Sequence, residues 1–299
     1  MGKCQMCGQE LIAGGVKDYL RCVSCGHEIR NENFKEEAMI VNDQLSKEAV
    51  LKTDRLEKFK RKVVEEVSSD KNFLLDIGSS SGKFLYHNRD LFRDYLGIEV
   101  TPSCVAFSRD VLGLNIKTKL DDADLKTISV ISFWHSLEHL KISNFEQMMA
   151  VIMRHTNQDT KLVISVPNSE SMLYRIAGQN YAYYDPESHI HQFSKESLGK
   201  LLERFGFAEE KVFFSLSYSF FGYLQSFINY GNLRHNFLYY HLKRGTEFGL
   251  NKWRIRALFF YNVFLSAVFF IPALLGVIYD SFVKERGAIL TICYQIKKP

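Results

Sequence analysis

LLDIGSSSGKFL, residues 74–85, joins an apolar run to a string of small residues and then to a second apolar run. Its middle, Gly78 to Gly82, spells G-x-S-x-G, the strand-to-helix elbow that carries a nucleophilic serine in hydrolases. That elbow normally follows several strand-helix units, and too little chain precedes this one. A P-loop needs four residues between its first glycine and a Gly-Lys followed by Ser or Thr; here there are three, and Phe84 follows Lys83. The dinucleotide fingerprint G-x-G-x-x-G is missing as well. What remains is a strand ending in Asp76, a tight turn of small residues and a helix from Gly82. Glu99 follows Gly78 by 21 positions, at the end of the next apolar run, where a carboxylate can accept hydrogen bonds from both ribose hydroxyls. A nucleoside suits this combination better than a dinucleotide.

Outward from the loop, the runs NFLLDIG, YLGIEV, ISVISFWH and TKLVISVPN are short and rich in branched residues, and stretches of helical length separate them. This alternation predicts an α/β domain, a doubly wound parallel sheet with helices on both faces. Leu56, Phe59, Val63 and Val67 recur at helical spacing, so an amphipathic helix precedes the first strand and covers something. SKESLGKLLERFGF predicts a further helix with Ser194 as its N-cap and Gly206 beyond its end. EKVFFSLSY and GAILTICYQIKKP read as two more strands.

At the other end of the scale of specificity from these runs is a cysteine pattern. Cys4, Cys7, Cys22 and Cys25 form two C-x2-C pairs, and a glycine follows each pair, Gly8 and Gly26. Four thiolates so spaced predict a zinc ribbon around one structural Zn2+, closed to water because no coordination position is left. The formal charge of +4 on 299 residues is too small to mark a nucleic-acid binder, and Lys3, Lys17, Arg21 and Arg30 are scattered through the ribbon rather than clustered. The polar start MGKCQMCGQE carries no secretory signal, so a cytoplasmic protein is expected.

LLDIGSSSGKFL, LGIEV, FWHSLEHL, LVISVPN and HIHQFSKESLGKLLERFGF, in this order and spacing, resemble the class I S-adenosylmethionine-dependent methyltransferases, in particular the bacterial group with a Leu-Glu-His motif after the fourth strand. The resemblance spans about residues 72–214 and implies a Rossmann-like seven-strand sheet that binds S-adenosylmethionine. It implies that Asp76, Gly78, Ser80 and Gly82 surround the methionine part of the cofactor. Glu99 would hold the ribose, Asp121 or Asp122 would face the adenine, and Trp134 would sit near the sulfonium or the adenine. Ser80 departs from the pattern, which usually has glycine there. Methyl transfer to a hydroxyl requires removal of a proton, and histidine is the usual base. His135, His139, His189 and His191 fall in segments that the family places at the carboxyl ends of strands; His139, His189 and His191 are the catalytic candidates. Of His189 and His191, one alone is expected to reach the site. With Glu138, these histidines could also ligate a divalent metal. Tyr181, Tyr183 and Tyr184 suggest a substrate lid.

Between Phe213 and Phe282 lie 21 of the chain's 41 aromatic residues, and Ala257 to Tyr279 is a run of 23 without a charge. That is long enough to span a bilayer. The final two strands of the family pair, however, so the intervening segment should leave and return on one side. A kinked or interfacial helix broken near Pro272 satisfies both constraints; a core helix or an oligomer contact would also use such a run. The expected organisation is a ribbon over 1–30, a linker and amphipathic helix over 31–71, the methyltransferase core over 72–214, an aromatic helical insert facing membrane or partner over 215–285, and the last core strand over 286–299. The expected activity is methyl transfer to a hydroxyl of a lipid-linked sugar, a polysaccharide precursor or another amphiphile at the inner face of the membrane. Two rivals stand beside it: an RNA methyltransferase gripping its substrate with the ribbon, and a non-enzymatic scaffold on the same fold.

Overall fold

The computed structural model describes residues 2–31, 45–232, 234–244 and 250–297. Parts of the expected linker (32–44), of the insert and of the final segment fall outside the described residues. In chain order the elements are β1 (Leu11–Ala13), β2 (Tyr19–Cys22), β3 (Glu28–Arg30), α1 (Lys47–Leu51), α2 (Arg55–Val67), β4 (Phe73–Ile77), α3 (Lys83–Asn88), β5 (Asp94–Ile98), α4 (Pro102–Asp110), β6 (Ile116–Lys117), β7 (Val130–Trp134), α5 (Ile142–Ile152), β8 (Lys161–Pro167), α6 (Met172–Ala177), β9 (His191–Gln192), α7 (Lys195–Glu203), β10 (Phe207–Phe213), α8 (Leu216–Tyr230), α9 (Phe237–Arg244), α10 (Lys252–Phe282) and β11 (Ile289–Ile296). Seven strands form one sheet in the order β10-β11-β8-β7-β4-β5-β6. The five from β8 to β6 run parallel, and β11 lies antiparallel to both β8 and β10. The strand order reverses between β4 and β7, which puts the topological switch point at the loops that leave these two strands.

Alternation along the strands divides the core by face. Leu75, Ile77, Ile131, Phe133, Leu162 and Ile164 pack with Phe145 and Met149 of α5 and Leu198 and Leu201 of α7. Leu74, Val130, Trp134 and Val163 pack on the opposite face with Val63 and Val64 of α2 and Phe84 and Leu85 of α3. What the amphipathic helix α2 covers is therefore the face of the sheet that it shares with α3. A capping box at Ser194 starts α7: its hydroxyl accepts from the Ser197 amide while Ser197 returns a bond to the Ser194 amide.

The ribbon is part of the same body. Its strands join β9 of the core in a four-strand antiparallel sheet, β1-β2-β3-β9. Cys4, Met6, Leu11, Cys22 and Cys25 are continuous with the core beneath α5 and α7.

In the insert, α10 runs through Pro272 as one 31-residue helix, so the expected break there does not occur. Flanking turns and the packing of α8 hold it: Gly276 lies so close to the Tyr223 ring that a Cβ would come within 2.4 Å of it. The Asp280 carboxylate accepts from Ser219 Oγ (2.6 Å) and Tyr223 Oη (3.0 Å), and Asn262 exchanges side-chain bonds with Asn232. EKVFFSLSY divides between β10 and the start of α8, with Ser215 as the helix cap.

Candidate functional site

The loop after β4 is built around strained and small positions. Gly78 has φ 77°, and a Cβ there would lie 2.3 Å from Ser136 Cβ, so nothing larger than glycine fits. Its amide and that of Ser79 both donate to the Ile98 carbonyl (2.8 and 3.0 Å), which ties the loop to the end of β5. Ser80 takes φ 47°, the left-handed region that explains why glycine usually stands in this place. Its amide donates to Glu99 Oε2 (2.8 Å), while Glu99 Oε1 accepts from the Thr101 amide (2.8 Å). Gly82, φ 76°, opens α3 against Leu114 and Ser108.

Asp76 is buried and sits beside Ser132 in the β4–β7 register; Ser132 Oγ donates to Asp76 Oδ1 (2.7 Å). Burial raises this carboxyl to about 6 against the lowering by Ser132, Ser79 and the charge of Lys60. Trp134, at the end of β7, packs on Phe84, and its buried indole Nε1–H has no acceptor. Over these rings comes Lys60 of α2, Nζ 5.7 Å from the Trp134 centroid and 3.1 Å from Glu57 Oε1. Lys60 was not singled out in the sequence: in LEKFKRKVV it is one lysine of several, and only the packing of α2 selects it. Asp121 lies farther out, exposed, accepting from the Ala123 amide and bordering a cavity of about 440 Å3 with Val105, Ile116 and Leu120. Asp122 opens a short 3-10 turn, Asp122–Asp124, and its side chain lies outside those described.

Next to the loop is a second group. β7 ends in His135, which has φ 55° and stands 5.0 Å, ring to ring, from Tyr218 of α8. Ser136 Oγ bonds the Ile77 carbonyl (2.6 Å), and a 3-10 turn, Leu137–His139, carries Glu138 and His139. The His189 ring meets His139 at 4.8 Å. His139 Nδ1–H donates to the Ser188 carbonyl (2.9 Å). Glu138 is fully buried, and neither carboxylate oxygen has a donor; His135 Nδ1, the nearest cation former, is 3.6 Å away, too far for a hydrogen bond. Burial pushes this carboxyl up, and the imidazoles around it pull it back below its ordinary value. Burial, aided by His139, pushes His189 down to about 4.

His191 goes elsewhere. Its Nδ1 lies 3.1 Å from His27 Nε2, and His27 Nδ1 lies 3.9 Å from Cys4 Sγ, so His191 stands behind the ribbon and not with His139. The sulfur pairs Cys4–Cys25, Cys7–Cys22 and Cys7–Cys25 lie 3.4 to 3.7 Å apart, near the edge of about 3.8 Å that a tetrahedron of Zn–S bonds has, and all four sulfurs lie within 4.8 Å of one another. Tyr181 and Tyr183 are packed among Tyr174, Phe221 and His135. A cavity of about 940 Å3 lies between the ribbon and α7, bordered by Cys22 and Cys25; its walls also carry ion pairs such as Lys195 with Glu285 and Lys200 with Glu196.

The strand order, the switch point and the carboxylate after β5 together define a class I methyltransferase core. A family model described as "Methyltransferase domain" matches residues 51–212, and the chain belongs to that family of S-adenosylmethionine-dependent enzymes. Among solved structures, a SAM-dependent methyltransferase from Archaeoglobus fulgidus is similar at 18% identity and TM-score 0.47, covering 81% of this chain and 94% of that one. Another, from Clostridium acetobutylicum, is similar at 8% identity and TM-score 0.46, over 83% and 94%. A search of curated proteins found no match.

Proposed function

We propose that this methyltransferase modifies a hydroxyl of a lipid-linked sugar, polysaccharide precursor or other amphiphile at the cytoplasmic face of a membrane. The observation that carries the reading is the uncovered apolar face of α10. Asn262, Leu265, Ala273, Gly276, Val277 and Asp280 turn inward; Phe260, Phe264, Ile271, Leu275 and Phe282 turn out, with Phe264 62% and Phe282 83% exposed. Only 17% of its most apolar window is buried, which separates it from the core helix of a soluble protein. Such a face fits the headgroup boundary, with Lys252, Arg254 and Arg256 at one end for anionic lipid. Because α8 holds α10 and also presents Tyr218 to His135, the acceptor's tail would stay in the bilayer while its hydroxyl enters the site.

The residues of the loop fit the cofactor. Asp76, Gly78, Ser80 and Gly82 would surround its methionine part with Lys60 above them, Glu99 its ribose, Asp121 or Asp122 its adenine, and Trp134 its sulfonium or adenine. The unpartnered Trp134 Nε1–H is a donor that a bound ligand would use. Bound S-adenosylmethionine supplies a methyl carbon on a sulfonium: a C–O bond forms, the C–S electron pair returns to sulfur, and the hydroxyl proton is left for a base. We assign its removal to His139 and His189, which would act either directly as the base or by holding the hydroxyl through a bound metal. The ribbon's sulfurs would hold one Zn2+, keeping β3 in place beside β9.

Expressed protein should sediment with membranes, resist high salt and leave with detergent. Incubation of lipid extracts with methyl-labelled cofactor should yield a labelled amphiphile by mass spectrometry. A monodisperse protein without detergent, which labels no lipid extract, would defeat the acceptor class.

A further inference from the structure

We infer that Glu138, His139 and His189 form a divalent transition-metal site, separate from the ribbon, that takes the acceptor's hydroxyl as a further ligand. The inference rests on the methyl-transfer reading for its ligand, but not for the metal. Each of the three residues offers one ligand atom, and all three atoms lie within 4.8 Å of one another.

The carboxylate makes the strongest case. Glu138 has no exposed surface, and both its oxygens lack a donor. A buried ionised carboxylate whose neighbouring imidazole, His135 Nδ1 at 3.6 Å, is too far for a hydrogen bond costs several kcal/mol, and proteins relieve that cost by pairing it closely or by binding a metal. His189 Nδ1 is likewise buried and unpartnered. His139 is oriented differently: a backbone carbonyl accepts only, so the bond to Ser188 fixes the proton on Nδ1 and leaves Nε2 as the basic nitrogen. A histidine that donates its other N–H to a carbonyl is the usual arrangement at a metal.

The backbone that carries these donors is fixed before any ion arrives. The Ile190 amide donates to the Glu138 carbonyl (2.8 Å), the Arg30 amide to the Ile190 carbonyl (2.9 Å), and Tyr19 Oη to the His189 carbonyl (2.9 Å). Two imidazoles and a carboxylate suit zinc, manganese, cobalt or nickel better than magnesium or calcium. Three protein donors leave a coordination position open, the mark of a metal that meets a substrate. The position is right as well: Ser136, two residues before Glu138, packs directly on Gly78 of the cofactor loop. An oxygen held there would lose its proton to water more readily than a free hydroxyl does, with His139 and His189 then serving as ligands and not as the base.

The test is metal stoichiometry of the full chain. Purified protein equilibrated with Zn2+, and separately with Mn2+, is dialysed and its metal content measured, with melting temperature and cofactor binding followed in parallel. The expected result is one equivalent beyond the ribbon's in the wild type, and a loss of affinity of at least tenfold to a hundredfold in both Glu138→Gln and His189→Gln, with S-adenosylmethionine still bound. If the wild type takes up no second equivalent, and Glu138→Gln simply raises the melting temperature by removing an unpaired charge, the site is overturned. A second equivalent in a protein that binds no S-adenosylmethionine would uphold the metal site and sink the methyl-transfer reading instead.

Discussion

Two clusters of donor side chains flank one short strand, and their contrast explains how a ribbon and an active site share a chain. On the ribbon side are four sulfurs with no place left for a further ligand, backed by His27 and His191. On the other side are a carboxylate that accepts no hydrogen bond and two imidazoles. His189 and His191 belong to opposite clusters because residues two apart in sequence diverge where the chain enters β9. The closed cluster shapes the open one: Tyr19 of β2 and the backbone of β3 hold the very segment that carries His189. A ribbon whose strands complete a sheet with the core braces the segment that carries the candidate site.

Breaking the closed cluster should have the largest effect. Cys22→Ser should lose the ribbon's zinc and destabilise the protein by about 5 kcal/mol or more, because metal binding is folding free energy in such a module; metal analysis and calorimetric melting measure both. A Cys22→Ser protein with unchanged metal content would remove the brace from the account.

A second variant asks what an isolated buried carboxyl costs. Asp76 has its carboxyl raised to about 6 from 3.8, chiefly by burial. The folded state therefore holds the proton more tightly than the unfolded one, so stability falls as pH rises from about 4 to about 6 and stays low above that. Asp76→Asn should make the cofactor-free protein more stable at pH 7.5 by up to about 3 kcal/mol, with the gain fading toward pH 4, while weakening the cofactor. Melting curves across pH decide it, and a gain independent of pH would contradict the assignment.

The two histidine partners sharpen the comparison further. His139→Ala should lower turnover about a hundredfold and leave cofactor affinity intact. His191→Ala should instead lower the melting point, costing about 1 to 3 kcal/mol by leaving His27 without its partner. If the two variants lose turnover and stability in the same proportion, the clusters are not functionally distinct. An effect no larger than that is expected in Glu99→Ala, which should weaken S-adenosylmethionine by about 1 to 3 kcal/mol through loss of a charged hydrogen-bond acceptor; equal affinity by titration calorimetry would take Glu99 out of the site.

The sequence alone determined whatever depends on local spacing. Two C-x2-C pairs define a ribbon, because each pair closes on one ion within a few residues. Apolar runs alternating with helical stretches define a doubly wound sheet, and the small residues from Gly78 to Gly82 followed by Glu99 mark the loops that leave β4 and β5, where we propose that the cofactor binds. Even the left-handed turn at Ser80 was foreshadowed, since that position departs from the expected glycine. Tertiary structure decided what depends on convergence across the chain. Lys60 is one of several lysines until α2 docks over Trp134. Glu138 is an ordinary acidic residue until burial strips its oxygens of donors, and His189 reaches it across fifty positions because β3 and β9 pair. The apolar run of α10 has the same composition whether it is covered or bare. Only its packing against α8 on one face, with nothing among the described residues on the other, makes it a surface, because burial is a property of neighbours and not of the residues themselves.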